Sequence, residues 1–347
     1  MNSEVSLKVT DDFKKDALDE FVYNNPNTSI FQTLDIAEVY KRNKACTPLI
    51  LVAINEDTDD IVASLLAKIL DEKPGFLSSF SRHSTIRGGP IFVDNKDGIA
   101  AVSLLLQHYN EIVKKESLYS RIYPLNDTPQ IIPCFKESGY EYGGWKNYLI
   151  NLNKSVEEIR RDIHKPRRKN INRAMSRGVK IEEITEKDLI PIFYDLLAET
   201  YTIRGTPLED ISFFEGVFDI LVPKNMAKFF MAKYNGEYIA TRLVLTYKGV
   251  IYDWHAGSYK KFLSLYPNDL LVWHILKWGS ENGFHTFDFG GAGEPNDTSG
   301  WVEFKRRFGG KLVNYGRYTK THQPKKLWFS MKMFEIYRKL FIQRRRM

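Results

Sequence analysis

Cysteine is nearly absent from this sequence, and so are the signals of export and membrane insertion. The two cysteines of the 347 residues, Cys46 and Cys134, lie far apart and outside any CxxC motif, which excludes a disulfide framework and a thiolate zinc site. No apolar stretch of about 18 residues occurs, and residues 1–13 lack the basic and apolar regions of a signal peptide. We therefore expect a cytoplasmic protein with free thiols.

The common catalytic signatures are also missing. The sequence has no GxSxG, no GxxxxGK[ST] and no HExxH motif, and its seven histidines show no spacing typical of metal ligands. These absences argue against serine hydrolysis and against metal dependence. We expect no metal site.

Positive charge is concentrated in two segments, although the formal net charge is only +7. Residues 160–180 contain nine basic residues against Asp162, and residues 317–347 contain ten against Glu335. Such segments indicate anionic partners, namely a diphosphate, RNA or a membrane surface. The candidate phosphate ligands of the first segment are Arg167, Arg168, Lys169 and Arg173. A solvated helix face is the alternative for the first segment; the second could contact the inner membrane face, but we expect it to dock on the protein.

Two parts of the sequence repeat one pattern. Residues 49–70 have the form strand, polar turn and strand, and residues 229–257 repeat it. Val52-Ala53 aligns with Met231-Ala232 at an offset of 179 positions. Each copy follows an amphipathic helix and precedes a longer helix and a further strand. The repeat predicts two tandem α/β units of one fold.

The junction of these units is expected near a predicted strand that ends at about residue 152. We predict a first domain over residues 1–152 and a second over 153–317, which carries the basic helix and the glycine-rich segment described next. A helix over 155–165 should be interrupted by Pro166. The C-terminal helix, residues 318–347, is expected to pack back on the first domain.

The stretch from 286 to 310, TFDFGGAGEPNDTSGWVEFKRRFGG, is the most informative one. A strand is predicted to end at Phe289, after which Gly290 and Gly291 let the backbone turn tightly or pass close to a ligand. Ligands in open α/β sheets commonly lie beyond strand ends, where such loops gather. The alternative is an ordinary unit whose glycines only cap the strand and the helix.

Phe304 and Lys305 fall on a short predicted helix in the same stretch. A lysine in a partly dry pocket stabilises negative charge that develops on an oxyanion or a phosphate. A solvated surface lysine is the alternative. Residues 306–310, RRFGG, also resemble the R-x-x-G-x-G/A pyrophosphate loop of CoA-dependent acetyltransferases, but Lys311 occupies the last position.

Five further residues are candidates for ligand contacts. Arg87 and Asp94 flank a glycine turn, where Asp94 would orient an amine or merely cap the next element. Arg204 ends a helix at a Gly/Pro turn, where a guanidinium either clamps a diphosphate or offsets the helix dipole. Trp254 and His255 lie in a strand at the expected centre of the sheet, where they either face a ligand or belong to the core.

Seven motifs follow one another along nearly the whole chain. They are IFQTLDIAEVY (30–40), RGGPIFVD (87–94), IRRDIHKPRRKNINRAMSRGVKIEE (159–183), TYTIRGTP (200–207), YPNDLLVWHILKW (266–278), FDFGGAGEPN (287–296) and VEFKRRFGGKLVNYGRY (302–318). In this order they resemble the Fem family of peptidoglycan-bridge aminoacyltransferases and its relatives with a doubled acetyltransferase-like domain. The resemblance implies two tandem GNAT-like domains, the acyl-CoA N-acyltransferase fold of mixed sheets flanked by helices. It also implies that no metal or cofactor is bound.

The resemblance further implies amide formation. Members of the family move an amino acid from aminoacyl-tRNA onto an amine of a peptidoglycan precursor. Phe304-Lys305 matches the motif whose lysine is thought to stabilise the tetrahedral oxyanion or the leaving group, and Arg204 with Thr202 matches the position that contacts the precursor's diphosphate. The sequence departs from the family at Ile36, where a tryptophan is often found, and it lacks the long helical hairpin that some members insert.

Three functions remain open at this stage. We expect an amide-forming aminoacyl or acyl transferase that acts on a cell-envelope precursor. The second reading is an acyl-CoA-dependent N-acetyltransferase that acts on a cell-surface sugar or peptide. The third is a non-catalytic module that binds RNA or a membrane through the two basic segments.

Overall fold

The structure, a computed structural model, describes residues 6–71 and 79–337. The chain divides into two units, numbered here in chain order: unit 1 comprises the residues up to Gly143 and those from Tyr315 onwards, and unit 2 comprises Gly144–Asn314. Each unit has its own mixed sheet, so the predicted α/β class is confirmed. Within the described ranges, no helix is long and apolar enough to cross a bilayer.

Unit 1 is built on eight strands among the described residues. These are β1 (Leu7–Thr10), β2 (Cys46–Asn55), β3 (Ile61–Leu70), β4 (His83–Gly88), β5 (Ile91–Phe92), β6 (Tyr119–Pro124), β7 (Glu141–Gly143) and β15 (Arg317–Thr321). The sheet has the order β1-β2-β3-β4-β6-β15-β7, and β5 pairs with β3. The helices of the unit are α1 (Lys15–Asn24), α2 (Leu34–Arg42), α3 (Lys96–Val113), α4 (Ile132–Glu137) and α11 (Pro324–Tyr337).

Unit 2 is built on a second sheet of seven strands. These are β8 (Asn147–Asn151), β9 (Lys180–Ile184), β10 (Ala227–Tyr234), β11 (Glu237–Tyr247), β12 (Val250–Ser258), β13 (Thr286–Asp288) and β14 (Lys311–Val313). The order is β14-β8-β13-β12-β11-β10-β9, which puts β12 at the centre. The helices are α5 (Val156–Asp162), α6 (Lys165–Ser176), α7 (Ile190–Arg204), α8 (Ile211–Ile220), α9 (Pro267–Glu281) and α10 (Gly300–Arg306).

Local sequence signals explain where several of these helices begin and end. The Thr33 hydroxyl accepts a hydrogen bond from the Ile36 backbone N–H at the start of α2, and the Asn95 side chain does the same at the start of α3. At the end of α7, Gly205 adopts a left-handed conformation with φ of 67°, which favours glycine.

The repeat that the sequence predicts extends to the detail of the strand pairing. The β2–β3 hairpin pairs Ala53 with Ala63, and the β10–β11 hairpin pairs Ala232 with Ala240. In both hairpins the register shifts directly after this pair, so that each carries a bulge at the equivalent place. Each unit also contains one parallel pair, β4 with β6 in unit 1 and β12 with β13 in unit 2. The two units therefore share one fold.

The structural boundaries differ from those that the sequence predicts. β8 was expected to close the first domain before residue 152, but it pairs with β13 and β14 in the sheet of unit 2. Conversely, β15 pairs with β6 and β7 in the sheet of unit 1. The reason is that β8 and β15 pair with strands that lie far from them in the sequence, which a division into consecutive segments does not reveal.

Two helix predictions also change. The first basic helix ends at Asp162, and Pro166 lies in the first turn of α6 rather than breaking a helix, because a missing N–H costs little there. Strand β15 occupies the first part of the segment 318–347 that was expected to be helical, and α11 follows it in unit 1. Residues 338–347 lie outside the described residues.

Candidate functional site

The candidate site lies in unit 2, where the parallel strands β12 and β13 separate. Their pairing runs from Val250 and Thr286 to Tyr252 and Asp288, and β13 ends there. Strand β12 continues to Ser258 and remains paired with β11. The end of β13 therefore leaves room beside the central strand for the loop that follows it.

Two glycines let this loop pass close to its neighbours. Gly290 has a φ of +73°, and a Cβ there would lie 2.5 Å from the carbonyl oxygen of Asp253. Gly291 has a φ of +117°, and a Cβ there would lie 2.7 Å from Nε1 of Trp145. Both positions therefore require glycine, for conformation and for space.

A carboxylate and an amide hold the loop. One oxygen of Asp288 accepts hydrogen bonds from Nδ2 of Asn147 and from the Gly290 N–H, each at 2.6 Å. The side-chain oxygen of Asn147 accepts from the Gly291 N–H at 3.1 Å. Asp288 and Asn147 are buried. This network fixes the direction of the carbonyl groups in the loop.

Lys305 reaches into this loop from the last turn of α10. Its ammonium donates hydrogen bonds to the carbonyl oxygens of Phe289 and Gly291, at 2.5 and 2.6 Å. The same nitrogen lies 5.6 Å from the centre of the Phe289 ring and 5.3 Å from that of Trp301. The ammonium is thus enclosed by carbonyls and aromatic rings, which explains why it is not the solvated lysine of the alternative reading.

Enclosure changes the protonation of this lysine. Burial lowers the pKa of Lys305 to about 8. The carboxylate of Asp253 opposes this shift, whereas the guanidinium groups of Arg242 and Arg204 add to it. Lys305 is therefore a cation at neutral pH, but one that loses its proton within reach of ordinary assay conditions.

Beside this lysine lies a buried ion pair that the sequence analysis did not identify. Arg242 on β11 donates from Nη1 to Oδ2 of Asp253 on β12 at 2.5 Å, and their side chains are only 5% and 7% exposed. Nε of Arg242 and Oδ1 of Asp253 are buried without a hydrogen-bond partner among the described residues. The pair therefore keeps hydrogen-bonding capacity in a region of low dielectric, where charges act strongly.

A bulge on β12 separates this pair from a second polar cluster. Leu243 pairs with His255 and Val244 with Asp253, so Trp254 is the extra, bulged residue of β12. Because consecutive residues of β11 face opposite sides of the sheet, Asp253 and His255 do too. The half-buried Trp254 therefore lies between Asp253 on one face of the sheet and His255 on the other.

The second cluster centres on His255. Nδ1 of His255 lies 2.8 Å from the Tyr201 hydroxyl, and Nε2 lies 3.5 Å from a carboxylate oxygen of Glu209. The imidazole is packed against the rings of Phe213 and Phe214. Burial, and then the charge of Glu209, raise the pKa of Tyr201 well above its usual value, so the phenol stays protonated. This places His255 in a buried aromatic environment with two polar partners.

Phe304 and the first basic segment are connected. The guanidinium of Arg167 lies 4.4 Å from the centre of the Phe304 ring and binds Asp269 at 3.0 Å. The side chains of Arg167 and Asp269 are only 17% and 6% exposed. This buried contact joins α6 to α9 and places the guanidinium of Arg167 against the Phe304 ring. Arg167 is therefore poorly placed to bind a phosphate, because its charge is already paired with that of Asp269.

The other basic candidates are closer to solvent. Lys169 and Arg173 are exposed on α6, and Arg173 contacts the Tyr266 hydroxyl at 3.5 Å. Arg168 is half-buried and contacts the Arg161 carbonyl at 3.4 Å. These three side chains form a basic surface, and the hydrogen bonds of Arg168 and Arg173 are long.

Arg204 and Thr202 are exposed in the last turn of α7. Tyr201, one turn before Arg204, carries the hydroxyl that meets His255. The charge of Arg204 lowers the pKa of Lys305, so the two cations share one electrostatic environment. The end of α7 therefore carries an exposed guanidinium whose charge acts on Lys305.

Arg87 and Asp94 belong to unit 1. The guanidinium of Arg87 lies 5.5 Å from the centre of the Phe31 ring and 5.4 Å from that of Tyr123. Asp94 is exposed and accepts a hydrogen bond from Gln130, while Asn95 rather than Asp94 caps α3. The capping alternative for Asp94 is therefore wrong, and its role toward an amine stays a prediction.

Sequence patterns contained a signal for the residues that were missed. Arg242 and Asp253 interrupt apolar strand segments, and a charged residue at a core-facing position of a strand requires a partner. Tyr201 and Glu209 gave no comparable signal, because their meeting with His255 depends on how α7 and the segment before α8 pack on β12. Among the described residues no cluster of three or more His, Cys, Asp or Glu side chains is arranged to hold a metal ion.

Comparison with known proteins shows what this chain is similar to. Residues 160–306 match the acetyltransferase (GNAT) domain family. The lipid II:glycine glycyltransferase of Staphylococcus aureus strain MRSA252 is 27% identical over 231 residues, which cover 62% of this chain and 52% of that enzyme. This chain thus spans about half the length of that relative. The enzyme of the same name from Staphylococcus epidermidis strain RP62A is 21% identical over an alignment that covers 84% of this chain and 87% of the relative.

A solved structure supports the fold over almost the entire chain. The crystal structure of FemX superposes with a TM-score of 0.69 at 18% identity, and the match covers 93% of this chain and 100% of FemX. The resemblance and the doubled fold that the sequence predicts are therefore confirmed. This chain is similar to Fem-family enzymes, and it is built on a doubled GNAT-like fold.

Proposed function

We propose that this chain is an aminoacyltransferase that moves an amino acid from aminoacyl-tRNA onto an amine of a peptidoglycan-type envelope precursor. The proposal is supported by homologues named lipid II:glycine glycyltransferase. The observation that carries it is the enclosed ammonium of Lys305 beside the end of β13. A preorganised cation in a water-poor site is what the negative charge of acyl transfer requires.

In the proposed reaction the amine of the acceptor attacks the ester carbonyl of the aminoacyl-tRNA. A C–N bond forms, the carbonyl oxygen becomes an oxyanion, and the C–O bond to the ribose then breaks. An ammonium has three N–H donors, and two of those on Lys305 are used by the carbonyls of Phe289 and Gly291. The third donates to the oxyanion or to the departing ribose oxygen, which takes the proton of the amine.

The remaining candidates then have distinct roles toward the substrates. Arg204 and Thr202, exposed at the end of α7, bind the diphosphate of the acceptor. The exposed basic residues of α6, Lys169 and Arg173, contact phosphates of the tRNA without reading bases. Arg87 and Asp94 stay candidates for substrate binding within unit 1. No metal or bound cofactor takes part in the proposal.

An acyl-CoA donor is the second candidate, because the match to the acetyltransferase family covers the part of the chain that holds Lys305. A ligand that binds only the folded state raises the apparent melting temperature once its concentration exceeds Kd. Acetyl-CoA at millimolar concentration should leave the melting temperature unchanged if aminoacyl-tRNA is the donor. A saturable increase would favour the acyl-CoA reading.

A donor screen tests the proposal directly. The purified protein is incubated with a soluble precursor of the envelope and either [14C]-aminoacyl-tRNA or [14C]-acetyl-CoA, with Lys305→Ala as control. Transfer from tRNA that depends on Lys305 is expected. Transfer from acetyl-CoA alone would replace the donor, and tRNA binding without any transfer would favour a non-catalytic module.

A further inference from the structure

Helix α11 has one side that packs on unit 1. The Ser330 hydroxyl donates a hydrogen bond to the Phe80 carbonyl, and the ammonium of Lys326 lies 5.1 Å from the centre of the Phe80 ring. Leu327 is half-buried next to them in the helix.

The remaining surface of α11 is unusually apolar. Five large side chains are between 49% and 63% exposed: Trp328, Phe329, Met331, Met333 and Ile336. The ring centre of Phe329 lies 5.7 Å from that of Phe80, so Phe329 also contacts the rest of unit 1. At about 3.6 residues per turn, Trp328, Met331 and Ile336 lie within about 80° of the direction opposite Ser330. Exposed apolar side chains that share one face of a helix indicate an interaction surface, whereas scattered ones do not. We call this face, with Lys325 and Lys332, the α11 face.

The charge of the α11 face points to the nature of its partner. At about 3.6 residues per turn, Lys325 and Lys332 lie on the same side of α11 as the exposed apolar residues. The sequence from 317 to 347 contains ten basic residues and a single acidic one, Glu335. Long lysine side chains can lay their stems along apolar surface and keep the ammonium at its edge. Tryptophan, methionine and isoleucine interspersed with lysine suit the boundary between acyl chains and anionic headgroups.

We propose that the α11 face docks on the surface of an anionic lipid bilayer. The charge complementarity and the convex helix surface favour a bilayer over a protein groove. Docking is peripheral, because no described helix can span the membrane. The proposal uses no residue of the candidate site in unit 2, so it does not depend on the transfer reaction.

Flotation of the full chain with lipid vesicles tests this proposal. We expect binding to vesicles of phosphatidylglycerol and phosphatidylethanolamine, and at least about tenfold weaker binding to phosphatidylcholine vesicles. Binding to the anionic vesicles should weaken with added salt but not vanish, because the apolar contacts are less sensitive to salt. The triple variant W328S/M331S/I336S and the double variant K325E/K332E should each reduce binding at least about tenfold.

The controls separate surface effects from lost folding. The variant Y23S/L263S/L312S removes three other exposed apolar side chains, which are 66%, 47% and 51% exposed, and should bind vesicles like the unsubstituted chain. Equal melting temperatures for all variants would show that the fold is retained. Unchanged vesicle binding by W328S/M331S/I336S would overturn the proposal. So would a dimer that this variant dissociates, together with no vesicle binding, since the α11 face would then be covered by a second copy.

Discussion

The two units share one fold, and they differ most clearly at their parallel strand pairs. In unit 1 the pairing of β4 with β6 extends over five residue pairs, from Ser84–Ser120 to Gly88–Pro124. In unit 2 the pairing of β12 with β13 stops after three. A glycine-rich loop then leaves the sheet, and its carbonyl groups receive the ammonium of Lys305. The shorter pair creates the candidate site.

The same sequence pair occurs in equivalent helices of the two units. Phe135-Lys136 occupies the end of α4, and Phe304-Lys305 occupies the end of α10. In each helix the lysine is the last residue but one. Lys136 is exposed, whereas the ammonium of Lys305 is enclosed. Position in the repeat therefore does not enclose a lysine; the loop that receives Lys305 does.

Replacing Lys305 and Lys136 in turn should give the largest difference in kcat. Lys305→Ala removes the cation proposed to offset charge in the transition state, so kcat should fall by about 10²-fold to 10³-fold. Lys136→Ala removes an exposed cation and should leave kcat within about twofold. Initial rates of amide formation under saturating donor measure both. Similar rates for the two variants would remove Lys305 from the chemistry.

Breaking the buried ion pair beside Lys305 should have the next largest effect. Asp253→Asn leaves the buried Arg242 without its counter-charge and should lower the free energy of unfolding by about 3 kcal/mol. Since the Asp253 carboxylate raises the pKa of Lys305, its removal should also shift the loss of activity to lower pH. Urea denaturation and a pH–rate profile measure the two effects.

An exposed ion pair of the same unit provides the control. Asp219 binds Lys187 at 2.7 Å, and their side chains are 35% and 48% exposed. Asp219→Asn should cost less than about 1 kcal/mol and leave the pH–rate profile in place. Equal destabilisation by the two substitutions would contradict the proposed importance of burial.

Two glycines with similar backbone angles test the close approach of the loop. Gly290 and Gly283 have φ values of +73° and +77°, but a Cβ on Gly290 meets the Asp253 carbonyl at 2.5 Å, whereas a Cβ on Gly283 has nothing within 4 Å. Both alanine variants carry the cost of the left-handed conformation, about 1 kcal/mol. Gly290→Ala should lose about 2 kcal/mol more, because backbone must move. Equal melting temperatures for the two variants would show that the loop does not pack closely against the Asp253 carbonyl.

The polar network of unit 1 should give the smallest effect. The Tyr109 hydroxyl lies 2.5 Å from that of Ser84 and 3.0 Å from that of Ser120, and Ser120 also meets Nε2 of His322 at 2.7 Å. Burial lowers the pKa of His322 to about 4, so the imidazole is neutral. Tyr109→Phe should cost about 1 kcal/mol in thermal denaturation and leave transfer unchanged. A large loss of transfer would assign a catalytic role to unit 1 as well.

Much of the fold could be predicted from the sequence because it is encoded locally. The amphipathic pattern of residues 33–42 and the glycine after Arg204 predict helix ends that the structure places at Arg42 and Arg204. The hairpin repeat is visible because its turn residues and small residues recur. The placement of β8 and β15 is not local, because each strand completes a sheet from far along the chain.

The candidate site divides in the same way. Gly290, Gly291 and Lys305 are adjacent to a predicted strand end, so their region could be located from the sequence. The enclosure of Lys305 by the Phe289 and Gly291 carbonyls depends on the three-dimensional course of the loop. The pairing of Arg242 with Asp253 depends on strand register, including the bulge at Trp254. Sequence patterns indicate such charged residues but do not pair them.

The pH dependence of kcat tests most directly whether the ammonium of Lys305 acts in the reaction. The rate should rise with pH as the acceptor amine loses its proton, and this rise should stop at about pH 8 as Lys305 loses its own. Lys305→Arg keeps a cation at every accessible pH, so its lower rate should keep rising in this range. A rate that rises steadily to pH 9 in the unsubstituted chain, or the same break near pH 8 in Lys305→Arg, would contradict a role of the ammonium in the reaction.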